Sequence, residues 1–190
     1  MATDASDDRD RIVEAADRLF YGRGIQAVGM DLVRSESGVP LKRIYARFPS
    51  KESLLEAVMR HRMGIWADGI AAASADATTP QARLLAIYDF LGVWFRDDAF
   101  RGCGFVNAFG ELGAVSPAVA RIAHEQKSGF QAYVARLVDE LGAPAELAPQ
   151  LSLLAEGAQT TAAIDGSPDA AAHARRAATV LIEAALARHA

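Results

Sequence analysis

Basic and hydroxyl-bearing side chains are concentrated at residues 34–51, and the chemistry that they offer is phosphate binding. This stretch holds five basic residues and one acidic residue, a local charge of +4, whereas the whole chain carries a net charge of −4. The basic residues are Arg34, Lys42, Arg43, Arg47 and Lys51. A cationic stretch in an acidic chain favours binding to a polyanion such as nucleic acid. The alternative is an ordinary solvated helix face.

Two short helices around a tight turn are predicted to position these side chains. Gly38 stands where the turn requires a left-handed backbone, and Pro40 is tolerated in the first turn of the following helix. With an advance of about 100° per residue, residues 41–48 form a helix with one apolar and one cationic face. This pattern predicts a helix-turn-helix whose second helix enters the major groove of DNA.

Roles in DNA binding follow from the place of each residue on this second helix. Tyr45 lies at the edge of the apolar face, so that its hydroxyl reaches outward, and Ala46 allows the helix to approach a thymine methyl group closely. Ser50 can cap the next helix, where exposed N–H groups and the Lys51 ammonium favour a phosphate. Arg43 is expected to read bases. The predicted DNA contacts are Pro40, Leu41, Lys42, Arg43, Tyr45, Ala46, Arg47 and Lys51.

Motifs around the turn resemble the N-terminal DNA-binding domain of the tetracycline-repressor (TetR) family. They are Gly24-Ile25-x-Ala27-Val28-Gly29-Met30-Asp31, then Glu36-Ser37-Gly38-Val39, then Tyr45-x-x-Phe48-Pro49-Ser50-Lys51-x-x-Leu54. The resemblance covers residues 9–58 and implies that Tyr45 and Lys51 hold phosphates while the start of the recognition helix reads bases. The chain departs from the family at Pro40, where Ser or Thr is usual, and at Arg34, where a small residue is frequent.

Composition predicts an all-α protein. Of the 190 residues, 51% are hydrophobic, which suffices for a core, and alanine is abundant while strand-type patterns are nearly absent. Since no long uncharged apolar run and no export signal are found, we expect a soluble cytoplasmic protein that does not bind membranes. The single cysteine, Cys103, excludes an internal disulfide framework and leaves a redox role open.

Three segments are expected along the chain. Residues 1–8 are small, polar and acidic, which predicts a disordered tail. Residues 9–60 form the three-helix DNA-binding domain, and a connector helix joins it to a larger helical ligand-binding and dimerisation domain at residues 61–190. Residues 145–188 contain two helices of small and aliphatic residues that either complete the monomer core or pair with their copies. The second alternative is the usual interface of TetR-family homodimers, which read a palindromic operator in double-stranded DNA.

A site for a small-molecule effector is predicted in the larger domain. The stretch Gly102-Cys103-x-Phe105-x-Asn107-Ala108-x-x-Glu111 is similar to one found in a subset of TetR-family effector domains. Cys103, Asn107 and Glu111 share a helix face, which either anchors a ligand among aromatic walls or satisfies backbone groups at helix ends. The candidate pocket residues are Trp66, Tyr88, Trp94, Phe105, Asn107 and Phe109.

The sequence argues against an enzyme. Its four histidines lie on separate predicted helices without metal-ligand spacing, and no nucleophile elbow, phosphate loop or dinucleotide motif is found. We therefore expect no catalytic residue, metal or cofactor. The favoured function is a transcriptional repressor that a small apolar or aromatic effector releases from DNA. The alternatives are a DNA-binding helical protein without an effector pocket and an activator of the same fold.

Overall fold

The computed structural model describes the backbone of residues 2–188 and the side chains of residues 7–188. All regular structure in this part of the chain is helical, which confirms the predicted all-α class. The described residues form α1 (Ala2–Arg23), α2 (Met30–Ser37), α3 (Leu41–Arg47), α4 (Lys51–Ala73), α5 (Pro80–Trp94), α6 (Gly104–Leu112), α7 (Pro117–Glu140), α8 (Leu147–Asp165) and α9 (Asp169–Ala187). None of these helices combines the length and the apolar character that crossing a lipid bilayer requires.

Contacts divide the chain into two units. Unit 1 contains the residues up to Ile65 together with Gly104–His124, and unit 2 contains Trp66–Cys103 and the described residues from Glu125 onward. This division differs from the predicted one, in which the first domain ends at residue 60. Residues 61–65 continue α4 within unit 1. Residues 104–124 belong to the same unit, where Glu111 of α6 bonds to the loop before α2 and Ser116 bonds to Glu52 of α4.

The core of unit 1 holds its short helices in place. Helices of 8 and 7 residues, such as α2 and α3, are too short to be stable alone in water and depend on tertiary packing. Val33 of α2 and Ile44 of α3 are completely buried, as are Ile12 of α1 and Leu54 of α4. These side chains therefore fix the orientation of the two helices that carry the predicted site.

The N-terminal segment differs from its prediction. Helix α1 begins at Ala2, so residues 2–8 are helical rather than a disordered tail, while Met1 lies outside the described residues. At the end of this segment, Asp8 is 3% exposed and forms an ion pair with Arg43 of α3. A charge-assisted bond of this kind stabilises the order of a segment whose composition alone suggests a loose tail.

Unit 2 contains an apolar core shared by α5, α8 and α9. Leu84, Leu91, Leu151 and Ile182 are buried there. Tyr88 lies among them, and its hydroxyl donates to the carbonyl oxygen of Leu151 at 2.8 Å. Burial raises the pKa of the Tyr88 hydroxyl, so it remains a hydrogen-bond donor. Tyr88 is thus a core residue of this unit with its polar atom satisfied.

Candidate nucleic-acid interface

Helices α2 and α3 form the predicted helix-turn-helix. Gly38 adopts φ +68° after α2, and its N–H donates to the carbonyl oxygen of Arg34 at 3.0 Å. Only glycine adopts this left-handed conformation readily, and the turn redirects the chain toward Pro40 and α3. Helix α3 ends one residue earlier than predicted, because Phe48 is extended, with φ −131° and ψ 95°.

One face of α3 is buried and the other is exposed. Ile44 is 0% exposed and Phe48 is 5% exposed, whereas Tyr45 at the edge is 46% exposed. Of the predicted contact residues, the exposed ones are Pro40, Lys42, Arg43, Tyr45, Ala46 and Arg47, and the half-buried ones are Leu41 and Lys51. The structure therefore brings six of the eight residues to an accessible surface, with three of them basic.

Arg43 has an acidic partner that the sequence did not suggest. Its Nη2 atom contacts Oδ2 of Asp8, whose side chain is 4% exposed, while that of Arg43 is 48% exposed. The neighbouring Arg9 lies over the ring of Phe48, with its guanidinium carbon 5.8 Å from the ring centroid. The start of α1 is thus part of the candidate interface. No sequence signal marks Asp8, since it lies in a segment that reads as a tail and its partner is on another helix.

Lys51 occupies the predicted position but is engaged within unit 1. Ser50 caps α4 as predicted, since its Oγ accepts the N–H of Ser53 at 3.0 Å. The Lys51 Nζ donates to the carbonyl oxygen of Ile25 at 2.5 Å. Burial lowers the pKa of the Lys51 ammonium, and the Glu111 carboxylate acts in the opposite direction. A phosphate would have to use the remaining N–H donors of Lys51 or draw them away from Ile25.

Glu111 of α6 holds the loop that precedes α2. Its carboxylate oxygens accept the N–H groups of Ile25 and Gln26, each at 3.0 Å. Gln26 in turn donates from its side-chain amide to the carbonyl oxygen of Glu111 at 3.3 Å. Of the two alternatives for the polar face of this segment, these contacts are those of a residue that satisfies backbone groups. The sequence identified Glu111 but not its partners.

Polar contacts also connect α4 with its neighbours in unit 1. The Arg62 Nη2 lies 3.1 Å from Oδ2 of Asp17, and the Arg62 guanidinium lies over the ring of Tyr21 at 3.7 Å. Burial raises the pKa of Asp17, while Arg62 opposes this shift. At the start of α7, the Ser116 hydroxyl donates to Oε1 of Glu52 at 2.6 Å. These contacts fix α4 against α1 and α7 within the unit.

The predicted effector-pocket residues fall into both units. Phe105, Asn107 and Phe109 are on α6 in unit 1, whereas Trp66, Tyr88 and Trp94 are in unit 2. Phe105 is buried, Phe109 is 54% exposed, and Asn107 lines a cavity of about 30 Å³ within unit 1. A larger cleft of unit 1, of about 290 Å³, is lined by Ile25, Gln26, Lys51, Glu52, Leu55, Leu112, Val115 and Ser116.

Aromatic rings cluster in unit 2. The Trp66 ring meets Phe90, Trp94 and Phe130 edge to face, with centroid distances of 5.2, 5.6 and 5.7 Å. Elsewhere in this unit, Cys103 is buried, and its Sγ lies 3.5 Å from the Nζ of Lys127. Among the described residues, no group of three or more His, Cys, Asp or Glu side chains is placed to hold a metal ion.

Comparisons of sequence find relatives that are transcriptional regulators. Residues 12–58 match the family model for bacterial regulatory proteins of the tetR family. The HTH-type transcriptional regulator YjdC of Escherichia coli is 25% identical over 155 residues, which cover 78% of this chain and 80% of YjdC. The HTH-type transcriptional regulator BetI of Rhizobium meliloti is 36% identical over 92 residues, which cover 48% of this chain and 44% of BetI.

Solved structures have the same fold. A TetR-family transcriptional regulator from Streptomyces coelicolor superposes with a TM-score of 0.87 at 23% identity, covering 95% of this chain and 96% of that chain. A putative TetR-type regulator from Streptomyces avermitilis has a TM-score of 0.79 at 28% identity, covering 94% of this chain and 97% of that chain.

Together, the family match and the fold are consistent with the geometry of α2 and α3. The homologues are transcriptional regulators and not enzymes, which confirms the prediction that this chain is not an enzyme. Helix α3, which is basic and exposed, is the second helix of the motif, and in helix-turn-helix proteins the second helix lies in the major groove. The chain is a helix-turn-helix DNA-binding transcriptional regulator, and its residues 12–58 match the tetR family.

Proposed function

We propose that this regulator is a homodimeric repressor that leaves a palindromic operator when a small apolar or aromatic molecule binds unit 2. The observation that carries the DNA-binding part is the exposed surface of α3, where Lys42, Arg43 and Arg47 are exposed while Ile44 is buried. A cationic helix face of this size is attracted to phosphates and fits the major groove. Because DNA is the proposed partner, we expect the protein to act in the cytoplasm.

Exposed apolar residues on α8 and α9 support the homodimer. The buried Leu151 and Ile182 belong to the core of unit 2, so part of each helix serves the monomer. On the same helices Leu153, Ile164 and Val180 are 72%, 78% and 63% exposed. Large apolar side chains exposed on neighbouring helices favour pairing with a second copy through residues 145–188. Two copies would present their α3 helices to half-sites about 34–36 Å apart.

The effector part of the proposal is supported by the aromatic cluster of unit 2. Trp66, Phe90 and Trp94 offer apolar ring faces and edges within one group. A solved structure of this fold at 21% identity and a TM-score of 0.78, a putative transcriptional regulator from Saccharomonospora viridis, holds choline. Because aromatic faces attract organic cations as well as apolar molecules, choline belongs in the set of ligands to be tested.

Helix α4 is the proposed route from effector to DNA. It begins at Lys51 beside the recognition helix and continues through Trp66 of unit 2 to Ala73. An effector that prefers one arrangement of unit 2 would change the arrangement of α4 and thereby lower the affinity for DNA. Couplings of this kind are typically about 1–3 kcal/mol. We also propose that the chain belongs to the TetR-family subset with the Gly-Cys-x-Phe-x-Asn-Ala-x-x-Glu stretch, residues 102–111.

A regulator without an effector is the second candidate, and Tyr88 favours it. This predicted pocket residue is buried and already bonded to Leu151, so a ligand could reach it only after the core rearranged. The two candidates share the DNA-binding step and differ only in the response to small molecules.

Selection of bound duplexes from a random DNA pool with the purified full chain tests the proposal. We expect a palindromic sequence, and binding to no duplex at low ionic strength would refute the DNA-binding function. The selected duplex is then titrated with choline and with small aromatic and apolar compounds. Release of the duplex supports the effector, and no response to any of them favours the second candidate. A reporter gene behind the selected operator separates a repressor, which lowers transcription, from an activator.

A further inference from the structure

The first turns of α1 lie against the recognition helix through a carboxylate that is nearly out of contact with water. The Asp8 side chain is 4% exposed and contacts the Nη2 atom of Arg43. In the same turns of α1, Arg9 lies over the ring of Phe48, and Arg11 donates to the carbonyl oxygen of Ser37 at 2.8 Å. These contacts fix the position of Asp8 relative to both α3 and the end of α2.

A buried carboxylate forms a stable ion pair with its cationic partner. Removing an ionised carboxylate from water is unfavourable unless a charged donor compensates, so Asp8 depends on Arg43. The guanidinium of Arg43 is a planar fork of five N–H donors, and a bond at Nη2 restricts the plane of the whole group. The Arg43 side chain is nevertheless 48% exposed, so part of this fork remains at the surface of α3.

From this geometry we infer that Asp8 is a positioning residue that holds the Arg43 guanidinium for a base edge, and that it thereby sets the operator preference of α3. The inference rests on the proposed contact of α3 with DNA. The chemistry of the fork fits a guanine, which offers two acceptors in the major groove to an arginine. An arginine that is already oriented loses less conformational freedom on binding. It binds a base only where the acceptor atoms of that base align with the N–H donors of the fixed guanidinium.

The Asp8 carboxylate also changes what the charge of Arg43 does. It offsets part of this charge, so that Arg43 contributes less than Lys42 or Arg47 to the sequence-independent attraction of phosphates. Lys42 and Arg47 have no carboxylate partner among the side chains of residues 7–188. These two residues therefore supply the general attraction, while the pair of Asp8 and Arg43 supplies the selectivity.

The variant Asp8→Asn tests the inference, with Asp7→Asn as its matched control. Both substitutions remove one negative charge from α1, but Asp7 is 64% exposed and faces Arg11 at 4.0 Å rather than Arg43. Affinities for the duplex that the wild type selects and for a random duplex are measured by fluorescence anisotropy at several salt concentrations. The ratio of the two affinities is the readout that a merely structural role does not change.

For Asp8→Asn we expect the ratio to fall about tenfold, since a bidentate base contact discriminates by about that factor or more. Binding to the random duplex becomes tighter, and its logarithmic dependence on salt steepens by about 0.9, because the released Arg43 can contact one more phosphate. Asp7→Asn changes both affinities by a common factor and leaves the ratio unchanged. In an Arg43→Ala background, Asp8→Asn no longer affects the ratio.

A second variant keeps the inference testable if Asp8→Asn does not fold, as judged by circular dichroism. Asp8→Glu retains the charge and displaces the guanidinium by one methylene group, so the ratio should fall while the salt dependence stays at the wild-type value. An unchanged ratio in the folded variant overturns the inference, and so does a common gain in both affinities, which would show that Asp8 only repels DNA. A wild type without any operator preference would instead refute the proposed function.

Discussion

The carboxylate of Glu111 accepts the backbone N–H of Ile25 at 3.0 Å, a hydrogen bond that spans 86 residues of sequence. Its second oxygen accepts the N–H of Gln26. Backbone donors in the loop between α1 and α2 have no helical partner, and leaving them unpaired inside a protein is unfavourable. Glu111 therefore stabilises the entrance to the helix-turn-helix from a position far along the chain.

Replacement of Glu111 by Gln should weaken unit 1. The amide retains one acceptor oxygen and turns an NH₂ group toward a backbone donor, so we expect a loss of about 1–3 kcal/mol in the free energy of unfolding. Urea unfolding of the full chain, followed by circular dichroism, measures this loss. Glu183→Gln on the exposed side of α9 is the control. Equal unfolding midpoints for the two variants would contradict the structural role of Glu111.

Lys51 should make the free energy of unfolding rise with pH in the alkaline range. Burial lowers its pKa below the ordinary value of 10.5, so the folded chain releases this proton at a lower pH than the unfolded chain. Between the two pKa values the unfolded state binds more protons, and stability rises with pH. The stability of the wild type relative to Lys51→Met should therefore increase as the pH approaches 10.5.

Urea unfolding of both proteins at several alkaline pH values measures this difference. Lys42→Met, on the exposed face of α3, corrects for the loss of one positive charge. If the relative stability of the wild type falls with rising pH, folding strengthens the hold of Lys51 on its proton, and burial does not control its pKa.

Substitutions at Tyr45 and Lys51 should weaken binding to selected and random duplexes by the same factor, since both residues are assigned to phosphates. Lys51→Ala should also reduce the slope of log affinity against log salt by about 0.9, whereas the neutral Tyr45→Phe should leave that slope unchanged. Anisotropy titrations across a salt series separate the two effects. A slope unaffected by Lys51→Ala would mean that the ammonium stays on the carbonyl oxygen of Ile25 when DNA is bound.

The exposed apolar residues of α8 and α9 should control the oligomeric state. In the double variant Leu153→Glu with Val180→Glu, two charges replace apolar contacts, and a buried unpaired charge disrupts an interface. We expect sedimentation analysis to show a monomer with greatly weakened operator binding. Val93→Glu on α5 changes an equally exposed residue, 74% exposed, outside residues 145–188. A double variant that sediments like this control would place the interface elsewhere.

The recognition helix could be predicted because its signals are local. Gly38 and Pro40 mark the turn, and the alternation of Ile44 and Phe48 with basic residues gives the orientation of α3 within a few residues of sequence. Helix starts are local in the same way, since the Thr79 side chain accepts the N–H of Ala82 and caps α5 next to Pro80. Signals of this kind lie within a few residues of the structure that they determine.

Contacts between distant segments could not be predicted in the same way. Asp8 looks like part of a polar tail, because its partner is presented by a different helix. Helical spacing groups Glu111 with Asn107, but the partners of Glu111 are backbone N–H groups, which every residue except proline possesses. Such contacts also place α6 in unit 1 rather than in unit 2, and the amino-acid composition gives no sign of this placement.

The bond between Asp8 and Arg43 affects how this regulator can be re-engineered. Transplanting α3 from a homologue would leave Asp8 behind on α1, next to whatever side chain the graft brings to the position of Arg43. With an apolar residue at the position of Arg43, the graft would leave the buried Asp8 carboxylate without a cationic partner. With lysine at that position, it would lose the planar guanidinium group. The seven residues of α3 therefore cannot be exchanged alone. The first turns of α1, which carry Asp8, have to be exchanged together with α3.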